Sequence, residues 1–520
     1  MTSALHSTAG IREIETAHAK KYPKISLMQR AGAAVAKLAQ SLLKAKKGSR
    51  ILVLAGPGNN GGDAWVAAAA LKKIGQRVTV IALGEHQFTD SAAKTAHTAF
   101  LRGRGEVRKD IPKDVAFDLI IDGLFGIGIA RAPAGAFAQT IQRVNQIRTS
   151  TSIHVLAIDI PSGLAADTGV ALGDTIVADH TITFLGLKPG LFTADGKDHA
   201  GVVHLDLLGV TATLGSGELL TRETTHALIP ARKHRSHKGT YGNVAIIGGA
   251  EGMVGAAVLA ARAALFMGPG KVFLGIVAKD TPEYDPLNPE IMVRKADELI
   301  AMEGIDALAI GMGMGTDRTA PRLLAATLAL NVPVVLDADA LNLISTTPAF
   351  AAAVANEVSN TSTGAVIKPK LAEMPHQRST FILTPHPGEA ARLLNVSVAH
   401  LEADRVTSAL VLAKRFNAVV VLKGAGTIIA TPEDRYFINT SGNPGMASGG
   451  MGDALSGMIA SLLAQGLSAL DAARLAVFLH GAAADACIAH GMAPHGLTAS
   501  EVIFEARALL NAGLAHHDHG

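Results

Sequence analysis

ILVLAGPGNNGGD, residues 51–63, joins an apolar run, Ile51–Ala55, to a glycine-rich turn that closes on Asp63, and an Ala-rich stretch follows directly. A β-branched run that stops at glycines and resumes as an alanine-rich segment predicts strand, turn and helix. At such a turn the backbone amides point outward with the helix dipole behind them, which makes a cradle for an anion or a dinucleotide phosphate. A glycine-rich turn also serves purely structural ends. Asn59, Asn60 and Asp63 add three side-chain oxygens that can orient a sugar or ligate a cation, and a plain turn has no need of them.

Around this turn the same alternation repeats. Ile11–Leu43 reads as two helices with Ile14, Leu27, Met28, Val35, Leu38 and Leu42 inward. Val78–Leu83, Leu119–Asp122, Val155–Ile158, Thr181–Leu185 and Val202–Leu207 read as further strands. Continuous apolar strands separated by helices imply a parallel sheet covered on both faces. Thr211–Glu218, TATLGSGE, is small and polar and reads as a linker. The alternation then restarts with Val244–Ile247, Val272–Ile276, Ala307–Ile310, Val334–Leu336, Phe381–Leu383 and Val419–Leu422. The expectation is two α/β domains, 1–218 and 219–520, with Thr346–Thr380 as a loosely patterned surface connection.

Bulk properties agree. A chain of 520 residues exceeds one ordinary core, and 54 glycines with 4% aromatic residues suit α/β units with sharp turns. A net charge of +3 without a basic, aromatic-laced stripe argues against nucleic acid or an anionic membrane as partner. Cys487 stands alone, so an intrachain disulfide and a Cys-rich zinc site are excluded, and it reads as a core residue of its helix. No apolar h-region marks Met1–Lys21, and a cytoplasmic location is expected. His516, His517 and His519 read as a solvated tail.

Two more strand ends match the first turn: DGLFGIG from Asp122 and DIPSGL from Asp159. Ligands bind at the C-terminal edges of strands in an open parallel sheet, so three glycine-bearing loops, each with an Asp, can converge on one pocket. Capping of the turns by Asp122 and Asp159 is the competing reading. GPGNNGGD, DGLFGIG and DIPSGL, preceded by IREIE (Ile11–Glu15) and LMQRAG (Leu27–Gly32), resemble the NAD(P)H-hydrate epimerase family over nearly all of residues 1–210. The resemblance implies a Rossmann-like domain in which Asn59, Asn60, Gly61, Gly62, Asp63, Gly126, Ile127, Gly128, Ile129, Ala130, Arg131 and Ala132 contact the hydrated nucleotide. It implies a potassium ion held by Asn60, Asp122 and Ser162, and substrate contact by Asp159, the acid/base candidate at the hydroxyl-bearing carbon. Two positions depart from the family pattern: Ile127 stands where Thr is usual, and Ala64 where Gly is usual. Arg131 occupies the place of the family's basic residue and is expected to pair with phosphate.

In the second half LKGAGT (Leu422–Thr427) ends one strand, and GNPGMASGGMGD (Gly442–Asp453) leads into a helix. Gly449, Gly450 and Gly452 let amides crowd an oxyanion at that helix start, where Asp453 would face a transferring phosphoryl group. An acidic residue in a first helical turn is also an ordinary stabiliser. No GxxxxGK[ST] is present, so Walker-type phosphate binding is excluded. The GG-x-GD arrangement resembles the ribokinase-like superfamily. Together with LDADALN (Leu336–Asn342), LTPHPGEAARL (Leu383–Leu393), His480-Gly481 and Asp485, it is similar to the ADP-dependent NAD(P)H-hydrate dehydratases over roughly residues 230–512. The resemblance implies that Ala256, Gly313 and His386 contact the hydrated nucleotide, and that Lys423, Gly424, Ala425, Gly426, Thr427 and Gly452 hold the adenine nucleotide. Asp453 would meet the substrate hydroxyl, with magnesium on the phosphates and ADP as co-substrate.

The function this implies is repair of hydrated NADH and NADPH: epimerisation of the R and S hydrates, then ADP-driven dehydration of the S form to NAD(P)H, AMP and phosphate. The expected partners are small nicotinamide and adenine nucleotides and further copies of the chain in a homo-oligomer. The alternative is a ribokinase-like vitamin-precursor kinase with an N-terminal nucleotide-binding module, which leaves GPGNNGGD and TPHPGE unexplained. His386 has the competing reading of a structural turn residue, and His480 reads as structural.

Overall fold

In the computed structural model the chain is described over residues 3–85, 91–112, 115–211, 213–280, 282–355, 380–492 and 494–514. It divides into two compact units, Met1–Glu218 and Leu219–Gly520. The His-rich tail, most of the 346–380 connection and one residue of the expected linker lie outside the described residues.

The first unit holds a seven-stranded parallel sheet in the spatial order Glu106–Arg108, Arg77–Ala82, Arg50–Ala55, Leu119–Gly123, His154–Ile158, His180–Phe184, Val202–Asp206. The chain starts the sheet at Arg50–Ala55 and builds first to one side, then to the other. Strand order therefore reverses between Arg50–Ala55 and Leu119–Gly123, and the crevice beyond their C-terminal ends is where an open α/β sheet binds ligands. The helix Leu27–Leu42 buries a small-residue face, Ala31, Gly32, Val35, Ala36 and Ala39, against the helix Asn59–Lys73. Gly32 makes that approach possible, because a Cβ there would lie 2.4 Å from Val66 Cβ. Leu27, Met28, Leu38 and Leu42 are only half-buried, so the larger apolar residues flank the contact rather than form it.

In the second unit, parallel strands run in the order Val419–Leu422, Phe381–Leu383, Val334–Leu336, Ala307–Ile310, Asn243–Gly248, Lys271–Ile276, Ile291–Lys295. Antiparallel strands Ile428–Ala430 and Tyr436–Asn439 extend the Val419 edge. The helices Val254–Phe266 and Met451–Ala464 pack backbone-close, since a Cβ on Gly457 would lie 2.0 Å from Ala260 O. That contact fixes the Met451–Ala464 helix against the helix Val254–Phe266. Ala469–Ala489 is, among the described residues, the one helix long and apolar enough to cross a membrane, and most of its apolar stretch is buried in the fold.

Every strand read from the sequence is present within one or two residues. Strands Ala4–Leu5, Glu106–Arg108, Ile291–Lys295, Ile428–Ala430 and Tyr436–Asn439 were not read, being short or at sheet edges. The end of the expected linker is also a strand: Gly217–Leu220 pairs antiparallel with Ala4–Leu5, Glu218 opposite Ala4. Backbone pairing needs no apolar side chain, so a Ser/Gly-rich composition did not reveal it.

Candidate active sites

The glycine-rich turn of the first unit is set by steric necessity. A Cβ on Gly56 would lie 1.9 Å from Leu124 O, and one on Gly61 1.7 Å from Gly56 O. The helix Asn59–Lys73 begins at once, and its N-cap, Gly58, supplies no side-chain capping bond. Asn60 donates through Nδ2 to Phe125 O at 2.9 Å, which ties the turn to the loop after the neighbouring strand. Ser162 Oγ meets that loop from the third strand end: it accepts from Phe125 N at 2.9 Å and donates to Asp122 Oδ1 at 2.7 Å. Asp122 Oδ2 accepts from Ser162 N at 2.8 Å. The three expected cation ligands are thus knitted together through Phe125. Asp122 is fully buried, and burial pushes its carboxyl up to about 6 against the opposing hydrogen bonds from Ser162 and Leu124.

A cleft of ≈ 1430 Å³ opens beside these loops. Asn59, Asn60, Asp63, Gly126, Ile127, Gly128, Ile129, Ala130, Arg131, Ala132 and Asp159 line it. Gly61 and Gly62 are buried in the first helical turn and do not, and Asp122 and Ser162 lie behind the wall. Ile127 also packs against two apolar clusters, one around Phe184 and Leu185 and one around Ile160 and Leu164, so its side chain fills core where a Thr would present a hydroxyl. Ala64 is fully buried with its Cβ at Gly123, in a gap that a Gly would leave open.

Asp159 has φ +64, a left-handed conformation rare for a residue other than glycine, which turns the chain sharply at the strand end. Its Oδ1 accepts from Lys188 Nζ at 2.6 Å and from Thr183 Oγ1 at 3.1 Å. Lys188 was not anticipated. It is fully buried, lines the cleft, and also donates to Thr183 Oγ1 at 2.9 Å and Phe184 O at 2.7 Å. Glu15 and Arg12, on the helix Thr8–Lys21, face the same cleft. The available signals were a lone lysine directly after an apolar strand, in LGLKPG, and the two acids of IREIE.

In the second unit the helix Met451–Ala464 starts after Gly450, whose φ of +88 and proximity to Leu259 require glycine. Asp453 sits in the first turn. Burial first, then the charges of Asp337 and Asp339, push its carboxyl up to about 6, while Lys423 opposes them. Asp337 is buried and accepts from Lys423 Nζ at 2.8 Å, Ser456 Oγ at 2.7 Å and Ala338 N at 2.9 Å. Burial pulls the Lys423 ammonium down, but Asp337, Glu389 and Asp453 outweigh it and its pKa ends above the ordinary lysine value. Gly452 leaves room for that ammonium, because a Cβ there would lie 3.1 Å from Lys423 Nζ.

The 424–427 loop is braced from below. Arg405, 2% exposed, donates to Lys423 O at 3.1 Å and Glu402 Oε1 at 2.8 Å, and Gly424 (φ +140) gives its guanidinium space. Thr427 Oγ1 closes the turn on Gly424 O at 3.1 Å. Gly313, φ +58, lies against Ala256: a Cβ on it would be 3.1 Å from Ala256 Cβ. Gly315 N donates to Asp339 Oδ2 at 2.8 Å, so the Ala256–Gly313 corner is linked to the Asp337–Asp339 loop beside Asp453. His386 caps the helix Pro387–Leu394, Nδ1 accepting from Gly388 N at 3.0 Å while its backbone N donates to Glu389 Oε2 at 2.8 Å. His386 thus has a structural part in this turn, and its half-exposed ring lies close enough to Lys423 and Arg392 that burial and then those charges keep its pKa below the ordinary value.

Sequence reasoning named Asp453 and Lys423 but gave no role to Asp337, Ser456, Glu389 or Arg405, which connect them. His480 is buried and pushed down to about 4 by burial and Lys423, a neutral core histidine. A smaller cavity of ≈ 650 Å³ between Phe266, Leu287, Phe504 and Arg507 contains none of the expected site residues.

A family model described as NAD(P)H-hydrate dehydratase matches residues 244–505, and one described as YjeF-related protein N-terminus matches residues 24–190. A bifunctional NAD(P)H-hydrate repair enzyme of Escherichia coli strain K12 is 38% identical over 502 residues, 95% of this chain and 91% of that one. The chain belongs to the bifunctional NAD(P)H-hydrate repair enzyme family. The repair enzyme of Coxiella burnetii is 35% identical over 520 residues, covering 98% of this chain and 100% of its own. Among solved structures, the ADP/ATP-dependent NAD(P)H-hydrate dehydratase of Bacillus subtilis, co-crystallised with ATP and Mg2+, is 31% identical and covers 57% of this chain and 98% of that one, with a TM-score of 0.48. As a repair enzyme the chain carries an epimerase domain in its first unit and a dehydratase domain in its second.

Proposed function

We propose that the first unit interconverts the R and S hydrates of NADH and NADPH in its cleft, and that the second dehydrates the S form using ADP, yielding NAD(P)H, AMP and phosphate. The observation that carries the dehydratase chemistry is a carboxylate, Asp453, poised near neutrality at a glycine-lined helix start beside the Lys423–Asp337 pair. Water is a poor leaving group. Asp453 takes the proton of the ring hydroxyl, the oxygen attacks the terminal phosphorus of ADP and AMP departs; the C–O bond then breaks, the adjacent ring carbon loses its proton to the departing phosphate, and the C–H pair forms the ring double bond. The amides around Gly449–Gly452 and the Lys423 ammonium face the developing negative charge. Lys423 to Thr427 and Gly452 hold the adenine nucleotide, while Ala256, Gly313 and His386 hold the hydrated one.

A magnesium ion here would neutralise the charge of the nucleotide phosphates, with Asp339 and Asp453 at hand. In the first unit the donors suit a hard monovalent cation: Asp122 is buried, has only neutral hydrogen-bond donors, and is grouped with Ser162, Asn60 and the Phe125 carbonyl. Potassium bound by Asn60, Asp122 and Ser162 would hold the three loops together. Asp159 contacts the substrate as base, Asn59–Asp63 and Gly126–Ala132 contact the nucleotide, and Arg131 pairs with phosphate.

The test is to incubate the chain with ADP and hydrated NADH and follow recovery of the dihydronicotinamide absorbance. Recovery that survives unchanged in Asp453→Asn removes the dehydratase mechanism, and phosphorylated vitamin precursors formed without NADH recovery would replace it with a kinase. Exchanging potassium for choline is expected to slow interconversion of the hydrates, and an equal rate in both salts rules out the cation role.

A further inference from the structure

Three of the charged groups that line the cleft of the first unit come from separate elements: Glu15 on the helix Thr8–Lys21, Asp159 after the strand His154–Ile158, and Lys188 after the strand His180–Phe184. Lys188 donates to Asp159 at 2.6 Å, to Thr183 at 2.9 Å and to Phe184 O at 2.7 Å, so its three protons are committed and its position is set. Asp159 is thereby an ion-paired, oriented acceptor. Glu15 is in a different situation: it is exposed on the cleft wall, where partial desolvation by the surrounding protein, then the Asp159 charge, raise its carboxyl above the ordinary range, and Lys188 and Arg12 only partly offset them. Two carboxyl groups whose surroundings differ in this way are the arrangement for one base and one acid.

The chemistry requires such a pair. The hydrated ring bears its hydroxyl on the carbon bonded to the ring nitrogen, a hemiaminal. When the hydroxyl proton passes to a base, the O–H pair forms the second C=O bond, and the C–N pair moves onto nitrogen, which takes a proton from an acid. Rotation of the freed aldehyde and reversal of the same steps closes the ring with the opposite configuration. No redox partner or co-reactant enters.

We propose that Glu15 is the second proton-transfer residue of the epimerase cleft, serving the ring nitrogen while Asp159, held by Lys188, serves the hydroxyl. This rests on the epimerase reading of the first unit. The experiment uses the full chain with separated R and S hydrates of NADH, without ADP, and chiral separation of products. Glu15→Gln is expected to lower kcat by about 10²-fold or more with little change in KM. The wild-type rate falls as pH rises past the ionisation of the acid, that limb disappears in Glu15→Gln, and Glu15→Asp regains part of the rate. A denaturant-unfolding profile of Glu15→Gln that overlays the wild type, with a near-wild-type KM for the hydrates, shows that the first unit is folded, and ADP-driven dehydration of the S hydrate at the wild-type rate shows the same of the second. Interconversion within threefold of wild type, or a loss carried by KM alone, overturns the proposal. If Asp159→Asn is inactive while Glu15→Gln is normal, only the Glu15 role falls; if the wild-type chain does not accelerate interconversion, both readings fall.

Discussion

Asp453 can act as a base only when ionised, and its carboxyl is raised to about 6. Dehydratase kcat/KM is therefore expected to be full at pH 7–8 and to fall as pH drops through about 6. Asp339→Asn, nearly isosteric and still able to accept from Gly315 N, removes one of the charges that raise Asp453. The acid limb should move to lower pH, and an unmoved limb would assign the ionisation to another group. Ile127 raises a separate question at this scale, because the family's usual Thr would place a hydroxyl in the Gly126–Gly128 loop on the cleft. Since Ile127 packs into two apolar clusters, Ile127→Thr is expected to leave interconversion within about threefold and to cost about 1 kcal/mol of stability, read by denaturant unfolding. A large gain in activity would mean that the hydroxyl matters more than the packing. The departure was legible in the sequence; its compensation was not, because which side of a loop meets the core is set by partners far away in the chain.

Elements carry the sites by close backbone approach. Gly58 and Gly61 belong to the same turn, yet a Cβ on Gly58 meets nothing within 4 Å, whereas one on Gly61 meets Gly56 O at 1.7 Å. Gly58→Ala is expected to cost less than about 1 kcal/mol, and Gly61→Ala about 3 kcal/mol or more, with loss of epimerase activity. Equal effects of the two substitutions in thermal or denaturant unfolding would contradict the turn geometry. Strand, turn and helix were readable here because each has its own local chemistry. The short edge strands were not: Gly217–Leu220 is held by pairing with Ala4–Leu5, more than two hundred residues earlier, and local composition carries no record of that partner.

At the scale of the whole molecule, the cleft of the first unit is lined only by residues from Ile11 to Leu208, and the groups around Asp453 all come from the second unit. The two activities are expected to separate cleanly by mutation. Asp159→Asn should abolish recovery of NADH from the pure R hydrate beyond its spontaneous rate while leaving recovery from the S hydrate, with ADP, at the wild-type level. Asp453→Asn should do the reverse, leaving ADP-free interconversion intact. Stopped assays on separated hydrates check both, and loss of both activities in either variant would show that the sites are coupled. The sequence by itself determined the two α/β units, the glycine-rich turns and the family, because apolar periodicity, glycine spacing and contiguous motifs are local properties of the chain. Only the tertiary structure decided that Lys188 holds Asp159, that Asp337 links Lys423 to Ser456 beside Asp453, and that Arg405 braces the 424–427 loop. Those partners lie on different strands and helices, and a buried charge is chosen by whichever opposite charge folding brings within hydrogen-bonding distance.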